Sequence, residues 1–324
     1  MRSGAALDTL TRVLGVRVGH ASDRVAGTGV TVIRFDRAAP TVVSILGGAS
    51  ATYDTGSLSL ESTFGRRWAV FFSGGSLFGL DAARGVRSEL LSDGDGHTVF
   101  RNPRRVAPVT GATLFDLPDS DAPLPDYAVL GGRATRAAGR GAVPMGRVGA
   151  GLGALVGKYQ GRGRAMAGGV GSAAIRVPRL GWVGALAVVN AVGAVRSAAN
   201  GEWVAGARDA KGRVVPPDPG RWGRRGSTRT ATGTTLVAVV TNQPFTRAEL
   251  ARVAAVASTG ISDAIVPAFT ATDGDVLFCS TTGEGARPVR DRYPGARVDH
   301  VGLAAARAVA TAIVRAIPVD GQSP

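Results

Sequence analysis

The sequence predicts a mixed α/β fold, α+β in the order of its elements. Runs of β-branched and aromatic residues alternate along the chain with amphipathic, helix-spaced runs. The alternation lacks the regular strand–helix–strand rhythm of a doubly wound sheet. No repeat of fixed period is present, and 324 residues suffice for one large domain or two of average size with a substantial core.

The elements follow in order. Gly29–Phe35, Thr41–Leu46 and Trp68–Phe72 are predicted strands, bounded by turn-forming residues. Ser73-Gly74-Gly75-Ser76 then opens a predicted helix over Leu77–Leu91, with serine as its N-cap, and Ser92–Gly96 ends it. Val183–Val189 and Ala191–Val195 read as buried strand, with Asn190 the only strongly polar interruption. Residues 205–232, which include Pro216-Pro217-Asp218-Pro219-Gly220, are predicted to form a flexible loop. Leu236–Val240 is a predicted strand. Thr246–Val266 is a predicted amphipathic helix, with Glu249 in capping-box position after Thr246. Val276–Ser280 is a predicted strand, and Val301–Ile317 a closing helix.

Composition excludes several classes. The longest apolar stretches, Val183–Val195 and Val301–Ile317, are broken by Asn190 and by Arg307 and Arg315. Neither reaches the roughly 20 uninterrupted apolar residues of a membrane helix. The N-terminal residues show no apolar signal core, and a cytoplasmic location is expected. The single cysteine, Cys279, excludes an internal disulfide and reads as a small core residue. His20, His97 and His300 lie too far apart for zinc-ligand spacing, so no metal is expected. The net charge of +14 raises nucleic-acid binding, but its arginines are dispersed. The one concentration, Arg221-Trp222-Gly223-Arg224-Arg225, accompanies no nucleic-acid-binding motif, so no nucleic-acid partner is expected.

Three features carry chemistry. Gly233-Thr234 ends the long loop and begins a β-branched run. Cleavage there would free a threonine holding both a hydroxyl nucleophile and an α-amine with a pKa of about 7.7–8.0. An ordinary loop-to-strand junction is the alternative. Lys158 is one of only two lysines, with Lys211, among 38 basic residues. Lysine is compact and its pKa moves on burial, which arginine's does not. Its segment, Gly149–Lys158, fails as a phosphate loop because Leu152 and Tyr159 occupy required Gly and Ser/Thr positions. It fails as a dinucleotide fingerprint too, since Ala154 stands at the third glycine. Asp273-Gly274-Asp275 places two carboxylates at a tight turn, able to orient an ammonium or relay protons, or simply to be solvated.

Taken together, these motifs resemble the DmpA-like family of self-processing aminopeptidases and amidohydrolases. That family includes L-aminopeptidase/D-esterases, β-peptidyl aminopeptidases and nylon-oligomer hydrolases, and the last are closest in motif. Carrying the resemblance are Gly15–His20, Ser73–Ala83, Val148–Gly151, Gly157-Lys158, Val189–Gly193, Thr234-Thr235 and Asp273–Asp275, in matching order over about residues 13–317. It implies a single domain over 1–324, a four-layer αββα sandwich cut into chains 1–233 and 234–324 that stay associated, and a homo-oligomer of such pairs. It implies that Thr234 attacks small peptide or amide substrates without any cofactor. Asn190 would stabilise the oxyanion, Lys158 would lie beside the nucleophile, and Asp273 and Asp275 would orient the threonine amine and hydroxyl. Phe115 stands where several active relatives have a substrate-side tyrosine. Phe269 replaces a common histidine, and Gly233 stands where nylon-hydrolase-like members have asparagine. The alternatives are a threonine-nucleophile acyltransferase of the ornithine-acetyltransferase type, or a catalytically silent member binding an anionic partner or nucleic acid. Gly226-Ser227 is a weaker competing junction, because no strand follows it.

Overall fold

A computed structural model describes residues 8–117, 123–218, 220, 232–285, 291 and 293–318. The Arg221–Arg225 cluster and Gly226-Ser227 lie outside the described residues. The strands of the main sheet are β1 (Val16–Asp23), β2 (Thr28–Ile45), β3 (Ala51–Tyr53), β4 (Arg66–Ser73), β7 (Val109–Thr113), β10 (Gly169–Val177), β11 (Gly181–Asn190), β14 (Thr234–Thr241) and β16 (Val276–Thr281). Short strands complete the set: β5 (His97–Thr98) with β6 (Arg105–Val106), β8 (Leu155–Val156) with β9 (Met166–Ala167), and β12 (Ala194–Arg196) between β13 (Trp203–Ala205) and β15 (Ile265–Val266). The helices are α1 (Ala82–Ser92), α2 (Tyr127–Arg136), α3 (Arg247–Ala264) and α4 (Ala296–Arg315).

The long strand β2 organises the molecule. Sheet order is β10-β11-β14-β16-β2-β4-β7-β3, with β1 also on β2. The register of β2 on β4 slips between Arg34 and Ala39, and there the strand bends. Its first half pairs with β1 and β4, and its second half, Thr41–Ile45, pairs with β16. The bend folds the ladder into two facing sheets. Ile33, Phe35, Val70, Phe72 and Leu114 from one meet Leu186, Val188, Leu236, Val240 and Phe278 from the other. Phe72 and Phe278 touch across this seam, with ring centroids 6.1 Å apart.

Alternation in the strands places the remaining layers. Val32, Ala69 and Phe71 point away from the seam onto α1 and α2. Ala187, Val237, Val239 and Leu277 point the other way onto α3 and α4. The order is therefore α, β, β, α, the expected four-layer sandwich. β14 is buried at all eight positions because both its faces are covered, so it reads as a continuous apolar run.

The structure corrects several sequence-based expectations. Gly29–Phe35 and Thr41–Leu46 belong to one strand, because polar Asp36 and Arg37 mark a bend and not a chain reversal. The predicted helix at Leu77 begins as a 3-10 turn, Ser76–Asp81, and becomes α1 only at Ala82. Ser76 is no cap there: Gly75 at φ 81° and Ser76 at φ 52° turn the chain, without a side-chain capping bond. Asn190 ends β11, and Ala194–Arg196 is a separate strand. Residues 205–218 contain a compact turn, closed by Val215 N–H to the Ala207 carbonyl (2.8 Å) and Asp209 N–H to that of Arg213 (2.9 Å). α3 has its full capping box, with Thr246 and Glu249 each bonding the other's backbone N–H. Among the described residues, no helix is long and apolar enough to cross a membrane.

Candidate active site

The ends of three neighbouring strands converge on Thr234. It is the first residue of β14, and the antiparallel register sets it opposite Asn190, the last residue of β11. On its other side β14 runs parallel to β16, and the preceding residue, Gly233, bridges Asp273. One register thus gathers Gly233, Thr234, Asn190 and the Asp273-Gly274-Asp275 turn. Lys158 arrives from a separate 3-10 turn, Lys158–Gln160, tied down by the Gly157 N–H to the Gly193 carbonyl at 2.9 Å.

The scissile candidate is tightly held. Thr234 Oγ1 lies 2.5 Å from the Gly233 carbonyl oxygen. That oxygen also accepts the Gly274 N–H at 2.8 Å, while the Gly233 N–H donates to Thr272 O at 3.2 Å. A Cβ on residue 233 would stand 2.2 Å from Asp273 Oδ1 and 2.4 Å from Val192 N. Glycine is therefore the residue this packing accepts, and the asparagine of nylon-hydrolase-like sequences would require the Asp273 turn to shift.

The two carboxylates hold the backbone around Thr234, and neither has a hydrogen bond to its side chain among the described residues. Asp275 accepts the Thr235 N–H at 2.6 Å and the Phe269 N–H at 2.9 Å. Asp273 accepts the Thr270 hydroxyl at 2.6 Å, and the Thr270 and Val192 N–H groups at 3.3 Å each. Phe269 adopts a left-handed φ of 61° as it delivers its N–H. Burial, reinforced by repulsion from Asp273, pushes the Asp275 carboxyl up to about 7.

Asn190 and Lys158 form one unit. The Lys158 ammonium donates to the Asn190 backbone carbonyl at 2.7 Å and to its Oδ1 at 3.0 Å. Oδ1 also accepts the Leu155 N–H at 3.0 Å, and Nδ2 donates to the Phe115 carbonyl at 3.0 Å. A primary amide has two donor hydrogens and two acceptor lone pairs. Both lone pairs and one hydrogen are used, which leaves a single Nδ2–H for a developing oxyanion. Burial pulls the Lys158 ammonium down to about 7, against the opposing attraction of Asp273. Phe115 is an exposed residue beside this unit.

Sequence reasoning missed two participants. The Gly274 N–H gave no signal, being backbone. Asp116, 7% exposed, accepts the Thr28 hydroxyl and the Gly75 N–H at 2.7 Å each, partners distant in sequence.

Comparison with known proteins matches the chain to a family. The model of peptidase family S58 covers residues 8–320. The chain belongs to that family. An uncharacterized aminopeptidase of Mycobacterium leprae is 32% identical over 98% of this chain and 93% of its own length. A 6-aminohexanoate-oligomer endohydrolase of a Kocuria species is 33% identical over 83% of this chain and 74% of its own. Among solved structures, a Burkholderia β-aminopeptidase superposes with a TM-score of 0.63 at 21% identity, covering 96% of this chain and 86% of that one. The L-aminopeptidase D-Ala-esterase/amidase of Ochrobactrum anthropi, described as a variant of the Ntn hydrolase fold, also gives 0.63, at 19% identity over 98% and 88%. The S58 chain described here is accordingly a hydrolase of amide bonds on an Ntn-hydrolase-like fold.

Proposed function

We propose that this family member cleaves itself between Gly233 and Thr234 and then uses Thr234 as the nucleophile of an amidohydrolase or aminopeptidase. The observation that carries the reading is the Thr234 hydroxyl lying 2.5 Å from the Gly233 carbonyl oxygen, while the Gly274 N–H polarises that same oxygen. Addition of Oγ1 to the Gly233 carbon, with its proton passing to the departing α-nitrogen, converts the peptide to an ester. Water hydrolyses the ester, leaving a Gly233 carboxylate and a free Thr234 amine. The amine then serves as base while Oγ1 attacks a substrate amide, and water resolves the acyl-enzyme.

Electrostatics and burial support the same order of events. In the intact chain Thr234 is 4% exposed and Asn190, Asp273 and Asp275 are each 1% exposed, so a substrate reaches the nucleophile only after the break. The remaining Asn190 Nδ2–H, braced by Lys158, is suited to oxyanion stabilisation. The reading extends to chains 1–233 and 234–324 that stay associated, in a homo-oligomer of such pairs. The kinship with a 6-aminohexanoate-oligomer endohydrolase and with aminopeptidases favours short peptides or linear amides as substrates.

Denaturing mass spectrometry of purified protein tests the cut: two chains, the smaller beginning at Thr234, are expected. A persistent full-length chain, or a new N-terminus elsewhere, overturns the reading. Thr234→Ala should remain uncut and hydrolyse no p-nitroanilide, whereas Thr234→Ser should retain partial cleavage. Light scattering of the native protein reports the assembly.

A further inference from the structure

Phe115 sits at the centre of a brace that the functional reading leaves unused. Its carbonyl fixes the Asn190 amide, and its own backbone is pinned on both sides. Before it, Leu114 donates its N–H to the Ser73 carbonyl and accepts the Ser76 N–H, both at 2.9 Å. After it, Asp116 reaches back with one oxygen to the Gly75 N–H and with the other to the Thr28 hydroxyl, each at 2.7 Å. The glycine run singled out in the sequence closes over this carboxylate. A Cβ at Gly153 would stand 2.4 Å from the Gly27 carbonyl oxygen and 3.0 Å from Asp116 Cβ and Oδ2, and one at Gly74 would stand 2.2 Å from that Oδ2, so glycine lets both segments approach so near. Asp116 has no ion pair among the described residues, and its burial raises the cost of ionisation.

We infer that Asp116 is a positioning residue: by clamping the Gly74-Gly75 turn and Thr28 it fixes the Phe115 carbonyl, and so aims the free Nδ2–H of Asn190. Without the clamp, Phe115 keeps only the Leu114 anchors, and the Asn190 amide gains freedom to rotate away from the oxyanion. The positioning is carried by hydrogen-bond geometry, while the Asp116 charge separately attracts Arg162 and Lys158. An asparagine at 116 can accept the Gly75 N–H through Oδ1 and donate to Thr28 Oγ1 through Nδ2, whereas alanine can do neither. The geometry stands by itself; its catalytic consequence rests on the proposed threonine mechanism.

Two measurements on Asp116→Ala, Asp116→Asn and Thr28→Val test the inference separately from that mechanism. The first follows the Asn190 side-chain amide by NMR of protein labelled with 15N-asparagine, the resonance being assigned by its loss in Asn190→Asp. Asp116→Ala should shift it and speed its hydrogen exchange about tenfold or more. Asp116→Asn should leave it near wild type, and Thr28→Val, which keeps the fold if Asp116→Ala does not, should fall between. An unchanged Asn190 amide in Asp116→Ala or Thr28→Val overturns the inference. The second measurement is kcat per acyl-enzyme site, counted from the burst with a p-nitroanilide. Asp116→Ala should lower kcat at least about tenfold at nearly constant KM, less than the 100- to 1,000-fold typical of deleting an oxyanion donor. Asp116→Asn should stay within about threefold of wild type, since its hydrogen bonds survive. A purely structural Asp116 would lower the count of active sites but not the rate per site, and that result also overturns the inference. An Asn190 amide loosened in Asp116→Ala, together with a wild-type protein that forms no acyl-enzyme, would sustain the positioning role and sink the threonine mechanism instead.

Discussion

Two regions of this molecule bury a cation, and they treat it in opposite ways. Arg67, 1% exposed, lies where β4 meets the Asp54–Ser57 turn. Its guanidinium donates to the carbonyls of Phe64, Arg66 and Asp54, to Ser57, and to the Asp54 carboxylate at 2.9 Å. Lys158, also buried, donates only to Asn190, and among the described residues no carboxylate lies within ion-pair distance of its ammonium. Arg67 spends both terminal nitrogens on these partners, only its Nε lacking one among the described residues, and it cannot usefully change protonation. Lys158 is lowered to about 7, and among the described residues neither Asp273 nor Asp275 has a cation partner. Pairing a buried charge yields structure, and withholding the pair yields a group whose proton can move.

Exchanging the two cations tests this contrast most severely. Lys158→Met should slow both self-cleavage and amide hydrolysis by about 100-fold or more, because Asn190 loses its brace. Its near-UV circular dichroism should remain that of wild type. Arg67→Met should do the reverse, with kcat per active site unchanged and Tm lowered. The loss should be roughly 2–3 kcal/mol, below the value for a fully buried pair because Asp54 is 40% exposed. A fall in kcat per site in Arg67→Met would erase the distinction.

The pH dependence sharpens it. Burial raises Asp275 from 3.8 in the unfolded chain to about 7 in the folded one. Its contribution to stability is therefore fully present below about 3.8 and is lost as pH rises through about 7. Asp275→Asn has no such loss, so the Tm difference, variant minus wild type, should become more positive between pH 5 and 8, by about 2–5 °C. Lys158, lowered from 10.5 to about 7, behaves oppositely: its contribution is present above 10.5 and is lost as pH falls through about 7. Calorimetry below and above about pH 7 separates the two, Asp275 acting between 3.8 and about 7 and Lys158 between about 7 and 10.5. A Tm difference that does not vary between about pH 5 and 7 would contradict a buried, elevated Asp275. The smallest effect is expected of Phe115→Tyr. It adds the hydroxyl that the family resemblance implies at this position and should change KM for a linear amide only a few-fold, about one exposed hydrogen bond.

What the sequence disclosed is what local chemistry controls. The start of β14 was legible because a Gly-Thr junction precedes an unbroken β-branched run, and α3 because Thr246 and Glu249 cap it within one turn. Lys158 stood out only because arginine replaces lysine almost everywhere else. The bend that makes β2 one strand was hidden, since Asp36 and Arg37 look like the residues of a chain reversal. The 3-10 start before α1 was hidden too, because the left-handed backbone at Ser76 is set by packing around Gly75. Asp116 gave no local sign at all: its partners lie 41 and 88 residues away, and only the folded chain reveals a carboxylate placed out of water. Motif order conveyed which residues meet; distances and protonation required the fold.

The position of β14 and β16 in the sheet has a consequence for any break at Gly233-Thr234. The polypeptide after the break would hold these two strands side by side, with β11 of the preceding polypeptide on one flank and β2 on the other. The two pieces would be interleaved like fingers and not merely apposed. Separating them means unzipping two complete hydrogen-bonded ladders and opening the layers on both sides. Parting them therefore requires global unfolding, and the severed molecule should melt in a single step whose midpoint rises with protein concentration, because unfolding releases two chains.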